Sequence, residues 1–288
     1  MKLLRFTLMC ACVFMFTNLK AQVLDPSQES PLDGVYSKSI DTPHKRPIPY
    51  VQLREADIMW LQRVWREVDM REKVNQSFYF PLKPTQGRKN FMKVIMDGIQ
   101  QERITAYSPY DSATGQFDDG FKLPFTSDEA FRTLAYVTQI TTYNQYDEEI
   151  LKDTLNEIGL EEITRFRIKE EVFFDKQRSV METRILGIAP MIPDKTIDDG
   201  SVREAFWIYF PEARFVFAEA EVYNPHNDVD RLTFEELFWK RKFSSRITKE
   251  SNVYDRAIEQ YRVPLDALLE AEKIEEEIFN REHDMWSF

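Results

Sequence analysis

The stretch Ile163–Ala189 constrains the fold more than any other. β-Branched and aromatic residues dominate it: Ile163, Phe166, Ile168, Val172, Phe173 and Phe174, then the run Val180 to Ala189. Such side chains suit a pleated, half-buried surface. Asp175-Lys176-Gln177-Arg178 between the two runs reads as a turn, so the segment predicts a long antiparallel hairpin ended by Pro190 and Pro193. Arg203 to Phe210 predicts a further strand, dense in aromatics (Phe206, Trp207, Tyr209, Phe210), and Pro211 a short helical turn after it.

Both flanks carry the helical period instead. Leu61, Val64, Trp65 and Val68 recur at three and four, with Ile58 one turn earlier, predicting a helix from near Arg54. Glu67 and Arg71 stand i to i+4 on its outer side. Lys89 to Glu102 predicts a second, with Phe91, Val94, Ile95 and Ile99 on one stripe and Gly98 weakening it. Tyr107 to Gly120 reads as a loop. Thr126-Ser127-Asp128-Glu129 has the form of a capping box, opening a helix continued by Phe131, Leu134, Ala135 and Thr138. Glu148 to Ile158 reads as a short helix ended by Gly159. After the strands, Thr233 to Lys242 opens another helix (Phe234, Leu237, Phe238, Trp239). The terminal helix, 264–283, has Leu265, Leu268, Leu269, Ile274 and Ile278 on its apolar side. Helices, an antiparallel meander, then helices imply α+β: N-terminal helices, a central antiparallel β-meander and a C-terminal acidic helix.

Residues 1–21 read as a secretory signal peptide. Lys2 and Arg5 begin it, Phe6 to Phe16 is an apolar run too short to span a bilayer, and Ala21-Gln22 is a plausible cut. Both cysteines, Cys10 and Cys12, lie inside it. Met9-Cys10-Ala11-Cys12 faintly resembles a lipidation box, but the apolar run continues past Cys12. Cleavage leaves no cysteine, so stability in an oxidising compartment must come from packing. Residues 22–50 hold Pro26, Pro31, Pro43, Pro47 and Pro49, a density that reads as an extended arm, either a flexible leader or a segment packed on a neighbour. Residues 51–288 are then one α+β domain. Loss of Lys2, Arg5 and Lys20 takes 38 basic residues to 35 against 49 acidic, about −14. Such a surface repels nucleic acid and anionic lipid and favours basic partners. No later segment approaches a membrane span, so direct membrane insertion is not expected.

Chemistry is sparsely signalled. Asn224, His226, Asp228, Asp230 and Glu235 caricature a calcium loop, but Val229 stands where glycine is needed, and a polar turn is the better reading. Asp118-Asp119, Glu170-Glu171 and Asp198-Asp199 are carboxylate pairs, read as solvated. A periplasmic carboxylate-dependent glycan hydrolase would need two acids facing across a cleft, which neighbours on one strand cannot supply. A ligand carrier would need a deep apolar pocket. Only His44, His226 and His283 offer imidazoles, and there is no nucleophile elbow and no phosphate-binding glycine loop. No catalytic, cofactor-binding or metal residue is assigned, and no cofactor. Trp60, Trp65, Trp207 and Trp239 read as core anchors before an exposed patch. The terminal helix carries Asp266, Glu270, Glu272, Glu275, Glu276, Glu277 and Glu282 against Lys273 and Arg281. It either docks on its own core or presents a negative surface to a basic partner.

Two stretches carry a family resemblance. One is Arg54-Glu55-Ala56-Asp57-Ile58-Met59-Trp60 through Val64-Trp65-Arg66, then Asp69-Met70-Arg71-Glu72-Lys73 and Tyr79-Phe80-Pro81. The other is Val172-Phe173-Phe174-Asp175-Lys176-Gln177-Arg178-Ser179 and Arg184-Ile185-Leu186-Gly187-Ile188-Ala189-Pro190. Over about residues 50 to 250 the chain resembles the GldN/PorN family of gliding-motility and type IX secretion proteins. The resemblance implies a non-enzymatic periplasmic protein, peripheral to the outer membrane. It would form rings of many copies with a GldK/PorK-like outer-membrane lipoprotein, the ring receiving the periplasmic part of a GldM/PorM-like motor protein. It supplies no catalytic residue.

Overall fold

The computed structural model describes residues 45–85, 87–112, 115–143, 149–194, 201–224, 227 and 229–286. The expected leader, the arm up to His44, His226, Asp228 and Asp198-Asp199 lie outside the described residues. The hairpin is the middle of a larger sheet. Strands β5 (Arg165–Asp175) and β6 (Val180–Pro193) pair antiparallel from Arg165↔Met191 to Asp175↔Val180, with a bulge at Lys169/Glu170. β1 (Ile58–Asp69) lies against β5, and β9 (Arg246–Glu250) against β1. On the other side come β8 (Trp207–Tyr209) and β2 (Ala106–Tyr107), giving the order β2-β8-β6-β5-β1-β9, with β7 (Val202–Glu204) beside the end of β6. β3 (Ala135–Tyr143) and β4 (Glu149–Glu157) form a separate antiparallel ribbon. The α-helices are α1 (Gln76–Tyr79), α2 (Phe91–Gln100), α3 (Ser127–Thr133), α4 (Phe210–Glu219), α5 (Phe234–Trp239) and α6 (Pro264–Trp286). The α+β class and the antiparallel sheet agree with the sequence reading.

Two segments expected as helices are strands. Residues 58–69 are β1, because Val64 to Val68, Arg66 and Glu67 included, are buried without alternation. A strand covered on both faces loses its period of two, and apolar spacing then cannot tell it from a helix. Its β-branched and aromatic residues decide, since each meets a partner across the ladder, as Trp65 meets Lys169. Residues 149–157 are β4, paired to β3 from Ala135↔Glu157 to Tyr143↔Glu149. The capping box is present, Thr126 accepting from Glu129 N and Glu129 returning to the Thr126 amide, but α3 ends at Thr133 and Ala135 and Thr138 belong to β3. Nor does Pro190 end its strand. It falls between the β8 pairing at Ile188 and the β7 pairing at Met191, where a missing donor breaks no regular ladder.

One face of the sheet bears the main core. Phe91 on α2 lies 5.0 to 5.5 Å, ring centre to ring centre, from Phe78, Phe166, Phe217, Phe234 and Phe238, in edge-on and tilted arrangements that suit aromatic quadrupoles. Gly98 has a packing reason: a Cβ there would sit 2.6 Å from Ile104 Cδ1. The opposite face holds a smaller cluster of Trp65, Ala189 and Trp207, with Tyr107 and Phe121 packed on it. α6 docks through a third group, Ile247, Ile258, Ala271 and Ile274, with Ala267 and Ile278 partly buried. Its inward stripe is therefore alanine and isoleucine. Leu265, Leu268 and Leu269, expected on that side, are exposed. Among the described residues no helix is long and apolar enough to cross a membrane.

Candidate interaction surfaces

Successive strand side chains point to opposite faces, and the register of β1 on β5 sets unlike charges opposite one another. Arg63 faces Glu171, Glu67 faces Arg167 and Asp69 faces Arg165. Arg63 reaches Glu171 at 2.5 Å, Glu67 is approached by Arg246 at 3.3 Å and Arg165 at 3.4 Å, and Arg167 is drawn to Glu204 on β7. In the same row Lys169 Nζ lies 3.0 Å from Asp119 Oδ1, while Trp65 Nε1 donates to Asp119 Oδ2 at 2.6 Å. Burial holds the Lys169 ammonium below the ordinary lysine pKa, with Asp119 opposing the shift.

Glu170 turns to the other face and is 0% exposed. Arg66 Nε donates to it at 2.5 Å and Arg241 Nη1 at 2.9 Å, and Arg66 Nη1 continues to Glu275 on α6 at 3.1 Å. The solvated reading of Glu170-Glu171 is thus corrected for Glu170: its charge is buried because two guanidiniums meet it there. Asp118 pairs with Lys122 at 2.7 Å. Each of these acids faces a cation and not a second carboxylate. Asn224 donates to Asp230 at 2.9 Å within the loop compared above with a calcium site, and the described residues contain no group of three or more candidate metal ligands.

The end of the arm lies against this same chain. Arg214 Nη2 donates to the Ile48 carbonyl at 2.7 Å and Arg184 Nη2 to the Val51 carbonyl at 3.0 Å, while Lys45 pairs with Glu236. The Tyr50 ring stacks on Trp239 at 6.0 Å and lies under the guanidiniums of Arg214 and Arg184, 4.1 and 5.0 Å from its centre. Burial raises the Tyr50 phenol above its usual pKa, the two arginines pulling the other way. Arg214 is itself buried on Glu235 at 2.6 Å. Ile48, Tyr50, Arg214, Glu235 and Trp239 border an open groove of about 680 Å³, lined also by Ile185, Phe210 and Phe238. Nothing in the spacing of Arg184, Arg214 and Tyr50 announces this seat; the hairpin and two helices bring them together. Of the tryptophans, Trp65 and Trp207 are buried, Trp60 is half-buried with Arg281 5.1 Å from its ring centre, and Trp239 is exposed at the groove. His283 is exposed on α6.

A family model described as gliding motility associated protein GldN matches residues 53–287, from just before β1 to the end of α6. The chain belongs to the GldN family. No curated protein matches it. The GldN match takes in both stretches that carried the resemblance, now placed as β1 with α1, and as the β5–β6 hairpin. It also takes in α6, beyond the stretch of about residues 50 to 250 that carried the resemblance, so the acidic helix falls within the GldN match.

Proposed function

We propose that this GldN-family chain is a non-enzymatic structural subunit of the gliding and type IX secretion machinery. It works in the periplasm, in a ring built with a GldK/PorK-like outer-membrane lipoprotein, and the ring receives the periplasmic part of a GldM/PorM-like motor protein. The observation that carries the reading is the family match over residues 53–287. Two features of the molecule support it. Of the acids considered for catalysis, the described ones, Asp118, Asp119, Glu170 and Glu171, are engaged by arginine or lysine, Glu170 most tightly. The surface displays exposed aromatic and aliphatic side chains such as Trp239, Tyr254, Leu265 and Phe279, the kind that the core of a protein contact buries. A ring repeats one heterologous contact many times, so modest affinity per contact is enough.

Co-expression of the mature chain with the lipoprotein is expected to give high-mass rings in electron micrographs. Discrete one-to-one complexes in native mass measurements would contradict the proposal. Turnover of a cell-wall glycan by the purified chain, lost when a single acid is neutralised, would favour the hydrolase.

A further inference from the structure

α6 has two stripes, and only one is used within the chain. Ala267, Ala271, Ile274 and Ile278 point inward onto Ile247 and Ile258. Leu265, Leu268, Leu269, Glu272, Glu276 and Phe279 follow one another at steps of three, one, three, four and three, and form a stripe about 140° away at 100° per residue. The apolar members are open to solvent: Leu265 is 70% exposed, Leu268 46%, Leu269 58% and Phe279 67%. Glu272 and Glu276 between them are exposed as well, and so are Asp266 and Glu277 on the adjoining side. Beside Leu268, Ile258, Pro264 and Ala271 line a cleft of about 290 Å³ between α6 and β9, wide enough for an incoming apolar side chain. Nothing within the described chain covers this stripe.

Its charge pattern says what can. Two copies of α6 laid antiparallel about the middle of the stripe would set Glu272 on Glu272 and Leu268 on Glu276. Laid parallel, they would set each glutamate on its own counterpart. Like charges opposed in this way disfavour a second copy at neutral pH. An anionic lipid surface is repelled by the same carboxylates. Lysine or arginine opposite Glu272 and Glu276, flanked by aliphatic residues opposite the leucines and Phe279, satisfies every position. We infer that the outer stripe of α6 is a docking face for a basic amphipathic helix of another protein. This extends the proposed function by one defined contact and does not depend on the ring.

The test uses the purified mature chain and two synthetic amphipathic helical peptides of identical leucine pattern, one filled with lysine and one with glutamate. Fluorescence anisotropy at physiological ionic strength is expected to show binding of the lysine peptide alone. Leu265→Ser with Leu269→Ser should weaken it at least about tenfold, since a single buried leucine is worth roughly that much. Glu272→Lys with Glu276→Lys should exchange the preference, so that the glutamate peptide binds; unfolding cannot produce such a gain. The same charge change at Glu55 and Glu161, exposed elsewhere, should leave the affinity unaltered. Equal loss from that remote pair would overturn the inference, because the attraction would then be to net charge. Self-association at neutral pH abolished by the leucine substitutions would overturn it in favour of a second copy. Flotation with phosphatidylglycerol vesicles, abolished by the same substitutions, would do so in favour of a lipid surface. Failure of the lysine peptide to bind would overturn the inference and leave the ring micrographs standing, and failed rings leave the peptide result standing.

Discussion

Glu170 shows at the residue scale how this chain tolerates charge inside. A buried carboxylate is stable only where its partners cancel the lost hydration, and Arg66 and Arg241 do so from β1 and from the turn after α5. Removing the carboxylate alone leaves Arg66 buried with only Glu275 to meet it. Glu170→Ala is therefore expected to lower unfolding free energy by about 3 kcal/mol, read from urea titration. The double change Arg66→Met with Glu170→Met removes both buried ions and should fall nearer to wild type than the single one. Arg241 and Glu275 are exposed enough to turn to water. A double variant as damaged as Glu170→Ala would show that the pair itself, and not the stranded charge, carries the stability. None of this is legible in the doublet Glu170-Glu171, which looks like any solvated run; only the register of β5 on β1 assigns its members to different faces.

Among the elements, α2 and β1 make opposite cases. The stripe Phe91, Val94, Ile95 and Ile99 with Asn90 as a cap whose side chain accepts from Lys93 N defines α2 locally, and the sequence reading placed it within two residues at either end. Gly98 looked like a weakness there and is a fit. Alanine would favour the helix by about 1 kcal/mol on propensity, yet its Cβ would meet Ile104 Cδ1 at 2.6 Å. Gly98→Ala is expected to cost about 1–2 kcal/mol net, and Ile104→Val, which removes that methyl, should restore part of the loss in thermal melts. A Gly98→Ala variant that melts above wild type would refute the packing account. β1 resisted a local reading because its neighbours bury both of its faces, so its apolar residues carry no period of their own.

For the molecule as a whole, Glu250 of β9 stands near Glu270 and Glu277 of α6, and the cost of that meeting depends on pH. Glu250 accepts from Gln62 Nε2 at 2.7 Å, and burial, with Glu277 and Glu270 nearby, raises its pKa above the ordinary glutamate value. A carboxyl with a raised folded pKa favours the fold while protonated. That contribution is complete below the unfolded glutamate pKa and is lost as pH rises through the folded one. Glu250→Gln, which can keep the contact with Gln62, should therefore melt above wild type at about pH 7 and match it at about pH 4. An offset that does not change with pH would point to packing instead of charge.

What the sequence determined by itself is local chemistry: the β5–β6 hairpin with its turn, the cap and stripe of α2, the capping box of α3, proline at the start of α4 and α6, and the motifs of a GldN-family chain. Each is written in neighbours a few residues apart, where torsional preference and side-chain reach act directly. Tertiary structure decided the rest. It made β1 and β4 strands by giving them partners, turned Glu170 inward onto arginines from two other elements, and seated Tyr50 between Arg184 and Arg214. It also chose which of the two apolar stripes of α6 faces the core. Those outcomes depend on which surfaces meet, within the β3–β4 ribbon as much as between strands a hundred positions apart, and such pairings leave no period in the chain that makes them.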